Sequence, residues 1–330
     1  MLNVCQFGAG RIGAIHAANV AAHPAAHLRY VVDVSDEAAR ALATGYGADV
    51  SDTGRALGDP DVDAVIIASS TDTHADLIEA AAKSGKAVFC EKPVDLSSSR
   101  VEQCLRVVSD CGVPLAIGFN RRFDPNFQAI RRRIDDGAVG AVELVQITSR
   151  DPAPPPVSYI ARSGGLFRDM TIHDFDMARW MLGEEPVSVY AVGSCLVDAA
   201  IGEAGDVDTA MVTLRTASGR IAQISNSRRA AYGYDQRVEV LGAAGMLRAE
   251  NETPTRVEHF TADSVARDVP LHFFLERYAE AFRRELDDFV SSVSEGRAPA
   301  TSGDDGRRAL LLADAAQRSL ETGAPVVPGA

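Results

Sequence analysis

The stretch NVCQFGAGRIGAIHAANV, Asn3 to Val20, decides the fold. Its apolar run NVCQF is of strand type and ends in Gly8, while Gly10 and Gly13 complete a GxGxxG turn that opens the helical stretch RIGAIHAANV. Glycines at this spacing suit a chain that must turn sharply, leave its backbone open to close approach, and pack a helix tightly on the preceding strand. Alone the pattern is weak, and its setting gives it meaning.

Working outward, short apolar runs keep alternating with helical stretches to about Phe119. LRYVVDV, AVIIAS, AVFC and PLAIGF are separated by helical candidates near residues 11 to 22, 35 to 45, 73 to 84 and 97 to 111. That is the pattern of βαβ units and a parallel sheet. Residues 1–120 are therefore predicted to form a doubly wound Rossmann domain of an α/β protein. Gly8, Gly10, Arg11, Ile12 and Gly13 would take a dinucleotide, with amides at the helix N-terminus receiving its pyrophosphate. Asp33 closes the second apolar run twenty residues beyond Gly13. A carboxylate there accepts hydrogen bonds from ribose hydroxyls and repels a 2'-phosphate, and neither Val34 nor Ser35 offers a compensating cation, so NAD is expected instead of NADP.

Two further segments fall at the carboxyl edge of the predicted sheet, where open α/β sheets bind ligands. Ser69, Thr71 and His74, in SSTDTHAD, are candidate cofactor contacts, although Thr73 reads equally well as a helix N-cap. EKP supplies Glu91 and Lys92 and would place an ammonium where a nicotinamide and a substrate hydroxyl meet. A strand-end lysine is also an ordinary surface residue.

After NRRFDPNF the character changes. AVELVQITS, VSVYAVGSCLV, TAMVTLRT, RIAQISNS, QRVEVLG and GMLRAEN read as longer strands with turn signals, which predicts a large, mainly antiparallel sheet in an α+β domain over 121–330. Two helices close the chain, the second expected to pack back on the first domain. DPAPPPVSYIARSGG reads as a stiff, extended loop over the site.

Composition limits the function. Thirty-three basic against forty-six acidic residues leave a net charge of -13, which repels nucleic acid and anionic membranes. The partner expected is a small neutral or cationic molecule. Five cysteines without a CxxC pair suit a reducing cytoplasm. No apolar run reaches membrane-span length, and MLNVCQFGAG leads into a strand without signal-peptide features.

GGLFRDMTIHDFDMARW, Gly164 to Trp180, carries the second chemical signal. On one continuous helix Asp169, His173 and Asp176 would share a face. Such a face is open to three readings: a solvated surface, a metal site, or an acid and an imidazole poised for proton transfer.

GAGRIGAIHAANV, TDTHAD, VFCEKP, GFNRRFDPNF and SGGLFRDMTIHDFDMARW together resemble the glucose-fructose oxidoreductase, inositol dehydrogenase and MocA family. GDVDTA, NSRRAAYGYDQRVEV and GMLRAEN narrow the resemblance toward inositol 2-dehydrogenases. It runs from Val4 to about Tyr278 with no departure at a motif position. The resemblance implies Lys92, Asp169 and His173 as catalytic residues without a metal: His173 takes the hydroxyl proton, hydride leaves the same carbon for nicotinamide C4, and Lys92 and Asp169 hold and polarise the hydroxyl. Asp176 then stands behind them. The implied substrate is a polyol, most closely myo-inositol oxidised to its 2-ketone (scyllo-inosose), and the implied assembly is a homotetramer.

Recognition of a hydroxyl-rich ring calls for polar side chains. Asn120, Arg121, Arg122, Asp151 and the Asn226 to Asp235 run are candidates, each arginine being equally suited to a surface ion pair. Tyr232 and Tyr234 stand two apart and would face the same way on a strand, so the sequence does not choose between them. Another inositol isomer or a sugar is an alternative substrate, and a non-catalytic NAD-binding regulator is the alternative from another class.

Overall fold

A computed structural model describes residues 1–330, apart from the side chain of Ala161. The chain forms two compact units, Met1–Phe123 with Ala281–Leu310, and Asp124–Glu280 with Leu311–Ala330.

The first unit opens with β1 (Leu2–Phe7), α1 (Arg11–Ala22), β2 (Ala26–Val32), α2 (Asp36–Tyr46), β3 (Asp49–Val50), α3 (Thr53–Gly58), β4 (Ala64–Ile67), α4 (His74–Lys83), β5 (Ala87–Cys90), α5 (Ser98–Cys111) and β6 (Leu115–Ile117). All strands are parallel, in the order β3-β2-β1-β4-β5-β6. The order reverses between β1 and β4, so the carboxyl ends of these two strands flank the crevice where such sheets take ligands. Every residue of β4 and β5 is buried, which explains why these strands read as continuous apolar runs. The helices begin where their caps dictate: Ser35 accepts from the Ala38 amide and Ser97 from that of Arg100, while Gly47 and Gly112 end α2 and α5 in left-handed backbone. β3 and α3, of two and six residues, are too short for the sequence period to reveal.

The second unit runs through α6 (Pro125–Asp135), β7 (Val142–Arg150), α7 (Val157–Ser163), α8 (Gly165–Asp169), α9 (Thr171–Leu182), β8 (Pro186–Ser194), α10 (Ala199–Glu203), β9 (Thr209–Thr216), β10 (Ile221–Ser227), β11 (Asp235–Gly242), β12 (Gly245–Ala249), the hairpin β13 (Glu258–Phe260) and β14 (Val265–Arg267), and α11 (Phe274–Arg277). Six strands order as β12-β11-β7-β10-β9-β8, with β7 and β10 the one parallel pair. Val145, Ile147, Val212, Leu214, Ile224 and Val240 fill the covered face, against which α9 packs across β7 and β10. The opposite face leaves Tyr190, Val192, Met211, Ile221, Leu241 and Met246 exposed. The proline-rich stretch stays irregular only to Pro156, and VSYIARS, expected to be extended, forms α7 instead.

The chain ends in α12 (Ala279–Glu295) and α13 (Gly303–Thr322). One boundary near residue 120 with a returning final helix was expected. In the structure α12, from Ala281, belongs to the first unit and α13 divides after Leu310. Leu286, Phe289 and Val290 of α12 join the core beneath β1 and β2. An apolar stripe states that a helix is buried without stating against what.

Candidate active site

The turn after β1 shows what its glycines are for. Gly8 has φ +98°, and a Cβ there would lie 2.4 Å from the Ala68 carbonyl oxygen. A Cβ on Gly13 would lie 2.1 Å from the Gly8 carbonyl oxygen, whereas one on Gly10 would meet nothing within 4 Å. Two of the glycines are thus demanded by the protein itself, and the third keeps backbone open toward the crevice, as a dinucleotide requires. Gln6, fully buried, braces the turn by donating from Nε2 to the carbonyls of Gly8 at 2.9 Å and Gly13 at 2.7 Å. Asp33 follows β2 directly, its Oδ2 accepting from the Ala9 amide at 2.7 Å and its Oδ1 from that of Ser35 at 2.8 Å. These bonds aim the carboxylate at the lip of the turn beside the fully exposed Val34. Arg11 and Ile12 open α1. The residues fit NAD.

Beyond β4, Ser69 Oγ lies 2.6 Å from Thr73 Oγ1, and Thr71 belongs to a single 3-10 turn. Thr73 precedes α4 without a side-chain capping bond. His74 is buried, its Nδ1 2.8 Å from the Pro93 carbonyl and its Nε2 3.2 Å from that of Ser69. It ties the loop after β4 to the EKP loop, a structural task the sequence reading did not assign to it. Glu91 Oε1 lies 2.7 Å from Nε2 of buried His16. Lys92, half-buried, follows and is joined to Pro93 by a cis peptide. Behind this loop burial pushes the Glu285 carboxyl well up, reinforced by the charges of Glu91 and Asp288. Gln6 and His16 escaped the sequence reading because each stands alone among apolar and small residues, and Glu285 because it is one charge among several in FRRELDDF.

In the second unit Asp169 ends α8, Met170 separates two helices, and His173 lies in the first turn of α9. The single helix expected across this segment is therefore broken. Asp169 Oδ1 accepts from the Tyr159 hydroxyl at 3.0 Å, and its Oδ2 lies 3.5 Å from Nη2 of Arg228. Burial first, then the Asp169 carboxylate, raises the Tyr159 hydroxyl pKa. Asp174, fully buried beside His173, accepts from Asn226 Nδ2 at 2.8 Å, and Asn226 Oδ1 accepts from Thr171 Oγ1 at 2.8 Å. Two polar bonds thus pin the start of α9 to β10. Asp176 is 1% exposed and faces Arg179 at 3.6 Å, so it belongs to the packing of α9 and not to a solvated face. Among the described residues no three His, Cys, Asp or Glu side chains are grouped to hold a metal ion.

The remaining candidates part company. Asn120 and Arg121 are buried in the first unit, where Arg122 Nη2 donates to Asp305 Oδ1 at 2.8 Å. Asp151 begins the loop after β7, its amide bonded to the Ser227 carbonyl. Residues 229 to 234 form a turn and not a strand, so the two tyrosines do not face alike. Tyr234 is buried edge-on to Phe273 and Tyr278. Tyr232 is 42% exposed, donating to Asp235 Oδ2 at 2.5 Å and accepting from Arg150 Nη1 at 3.1 Å.

Glycines that open the backbone at a topological switch point, with an acid aimed beside them, make the first unit a dinucleotide binder, and its match to an NAD-binding oxidoreductase family makes the protein an NAD-dependent oxidoreductase. The chain belongs to the GFO/IDH/MocA oxidoreductases: residues 2–119 match the family's NAD-binding Rossmann fold and residues 127–248 its C-terminal domain. It is 56% identical over 314 residues to the inositol 2-dehydrogenase of Rhizobium meliloti (strain 1021), covering 95% of each chain. Among solved structures it is similar to a myo-inositol dehydrogenase from Corynebacterium glutamicum ATCC 13032, with TM-score 0.96, 43% identity and coverage of 100% and 99%. A scyllo-inositol dehydrogenase from Lactobacillus casei, solved with NAD(H) and scyllo-inositol, superposes with TM-score 0.92 at 31% identity over 100% of both chains. No helix of the described residues is long and apolar enough to cross a membrane.

Proposed function

We propose that the protein is an inositol 2-dehydrogenase that oxidises myo-inositol to 2-keto-myo-inositol. The observation that carries this reading is the 56% identity, over 95% of the chain, to an enzyme named inositol 2-dehydrogenase, in a sequence that holds Lys92, Asp169 and His173 where the family resemblance implies the catalytic residues. NAD, when bound, supplies the acceptor for the hydride leaving the carbinol carbon. His173 takes the hydroxyl proton on its imidazole, the side chain whose ordinary pKa best suits a base at neutral pH. Lys92 polarises the hydroxyl oxygen as the carbonyl forms. Asp169, held on one oxygen by Tyr159, orients that hydroxyl. The part-exposed Tyr232, whose hydroxyl is held by Asp235 and Arg150, and the carboxylate of Asp151 are the groups of the second unit assigned to the remaining hydroxyls.

Myo-inositol has one axial hydroxyl, on C2, whose carbon carries an equatorial hydrogen pointing outward. A fixed base and a fixed hydride acceptor select the carbon whose two bonds suit both. Initial rates of NAD reduction are expected to be clearly faster with myo-inositol than with scyllo-inositol, with the 2-ketone identified by NMR. Preference for scyllo-inositol, the ligand in the Lactobacillus casei structure, would overturn the substrate while leaving the dehydrogenase. NADH binding without turnover of any polyol would favour the regulator. The open face of the second unit's sheet, with Tyr190, Val192 and Met211, is assigned to a homotetramer, to be checked by light scattering. The five free thiols, three of them buried, suit the cytoplasm.

A further inference from the structure

Arg228 follows β10 directly, its amide donating to the Asp208 carbonyl at 2.8 Å. It is among the largest fully buried side chains, 1% exposed. A guanidinium carries a desolvation cost there that only charged or polar partners offset. Two carboxylates face it: Asp169 Oδ2 lies 3.5 Å and Asp206 Oδ2 4.0 Å from Nη2. Neither contact makes a hydrogen bond, and Nε and Nη2 have no hydrogen-bond partner among the described residues. Asp206 takes the Leu166 amide on its two oxygens at 3.1 and 3.0 Å. Leu166 stands near the start of the five-residue α8 and Asp169 at its end, so one buried cation lies beside both ends of the helix that delivers Asp169.

We propose that Arg228 is a positioning residue for the reaction: its buried guanidinium, 3.5 Å from Asp169 Oδ2, sets by its charge the orientation in which the Asp169 carboxylate meets the substrate hydroxyl. Tyr159 fixes the other oxygen, so the pair grips the carboxylate from two sides. A 3.5 Å contact is longer than the roughly 2.8 Å of a charge-assisted hydrogen bond, which leaves Asp169 room to settle against a bound polyol while the charge keeps it aimed. The proposal rests on the role given to Asp169 above. A mere strut for α8 would instead make Arg228 matter only through the folded fraction.

The test is a double-mutant cycle on NAD reduction by myo-inositol, with Arg228→Lys, Asp169→Asn and the two combined, alongside thermal melts and NADH titration. Lysine keeps the charge but loses the planar fork, so the single variant is expected to fold and to bind NADH as wild type. Its kcat should fall about ten- to a hundredfold, the scale of a misplaced catalytic group. In the Asp169→Asn background the same change should cost nothing further. Losses that multiply, or a wild-type kcat for Arg228→Lys, overturn the proposal. Asp206→Asn, which touches the guanidinium and α8 but no substrate, should lower the melting temperature and leave kcat per folded molecule intact. An equal kcat loss there would reduce Arg228 to a strut. Full activity of Asp169→Asn alone is a distinct result, which removes the role of Asp169 and the proposal with it.

Discussion

Replacing Gly10 by alanine separates the two duties that glycine performs in the turn after β1. The backbone at Gly10 has φ -75° and ψ -166°, which any residue adopts, and a Cβ there meets no protein atom within 4 Å. Alanine is a poorer N-cap than glycine by roughly 0.5 to 1 kcal/mol, while loss of unfolded-chain freedom returns about 0.4 to 1 kcal/mol, so stability should change by less than about 0.5 kcal/mol. The methyl would project from backbone assigned to the pyrophosphate. Losing one charge-assisted bond there, about 1.5 to 3 kcal/mol, corresponds to NADH binding about 10- to 100-fold weaker. Gly13→Ala should behave oppositely. Its Cβ would stand 2.1 Å from a backbone carbonyl oxygen that cannot swing away. Overpacking on that scale costs roughly 3 kcal/mol or more, a fall in Tm on the order of 5 to 10 °C. Thermal melts and fluorescence titration with NADH, run on both variants, read the two effects separately. Wild-type affinity in Gly10→Ala would refute the assignment of that backbone to the pyrophosphate, and a wild-type melt for Gly13→Ala would refute the packing argument.

Asp33→Ser with Val34→Arg should raise the use of NADP relative to NAD, at about 1 kcal/mol of stability because the Ala9 and Ser35 amides lose their acceptor; kinetics with both cofactors measure it, and a wild type that already prefers NADP contradicts the role of Asp33. His173→Ala should lower kcat by on the order of 10² with NADH binding retained, and an unchanged kcat would return the start of α9 to a packing role. For Asp208, burial raises the carboxyl, but the amides of Leu196, Asp198 and Val197 outweigh this and hold it at about 2. The folded state then binds fewer protons than the unfolded chain, so the stabilisation is present above about pH 4 and is lost as pH falls toward about 2. Asp208→Asn should destabilise the protein by about 2 kcal/mol near neutrality, with a gap to wild type that narrows over that acid window; a constant gap in urea melts from pH 5 to 2.5 would contradict the assignment.

The parallel sheet and its switch point were legible because every signal behind them is local. Strand, glycine turn and helix follow one another within twenty residues, and Gly13 and Asp33 are set by spacing along the chain. The same holds for Asp169 and His173 as a pair in one motif. The tertiary structure alone decided which neighbours those residues have. Arg228 and Asp206 lie 59 and 37 residues beyond Asp169 in sequence, yet both stand at α8, and no period or motif links positions so far apart. Tyr232 and Tyr234 were separated only when their segment proved to be a turn, and Arg122 acquired Asp305 only through the return of the chain after α12. Local patterning states that a residue is buried or turned; which charge it meets there is a product of packing between distant segments, and that product appears only when the chain is folded.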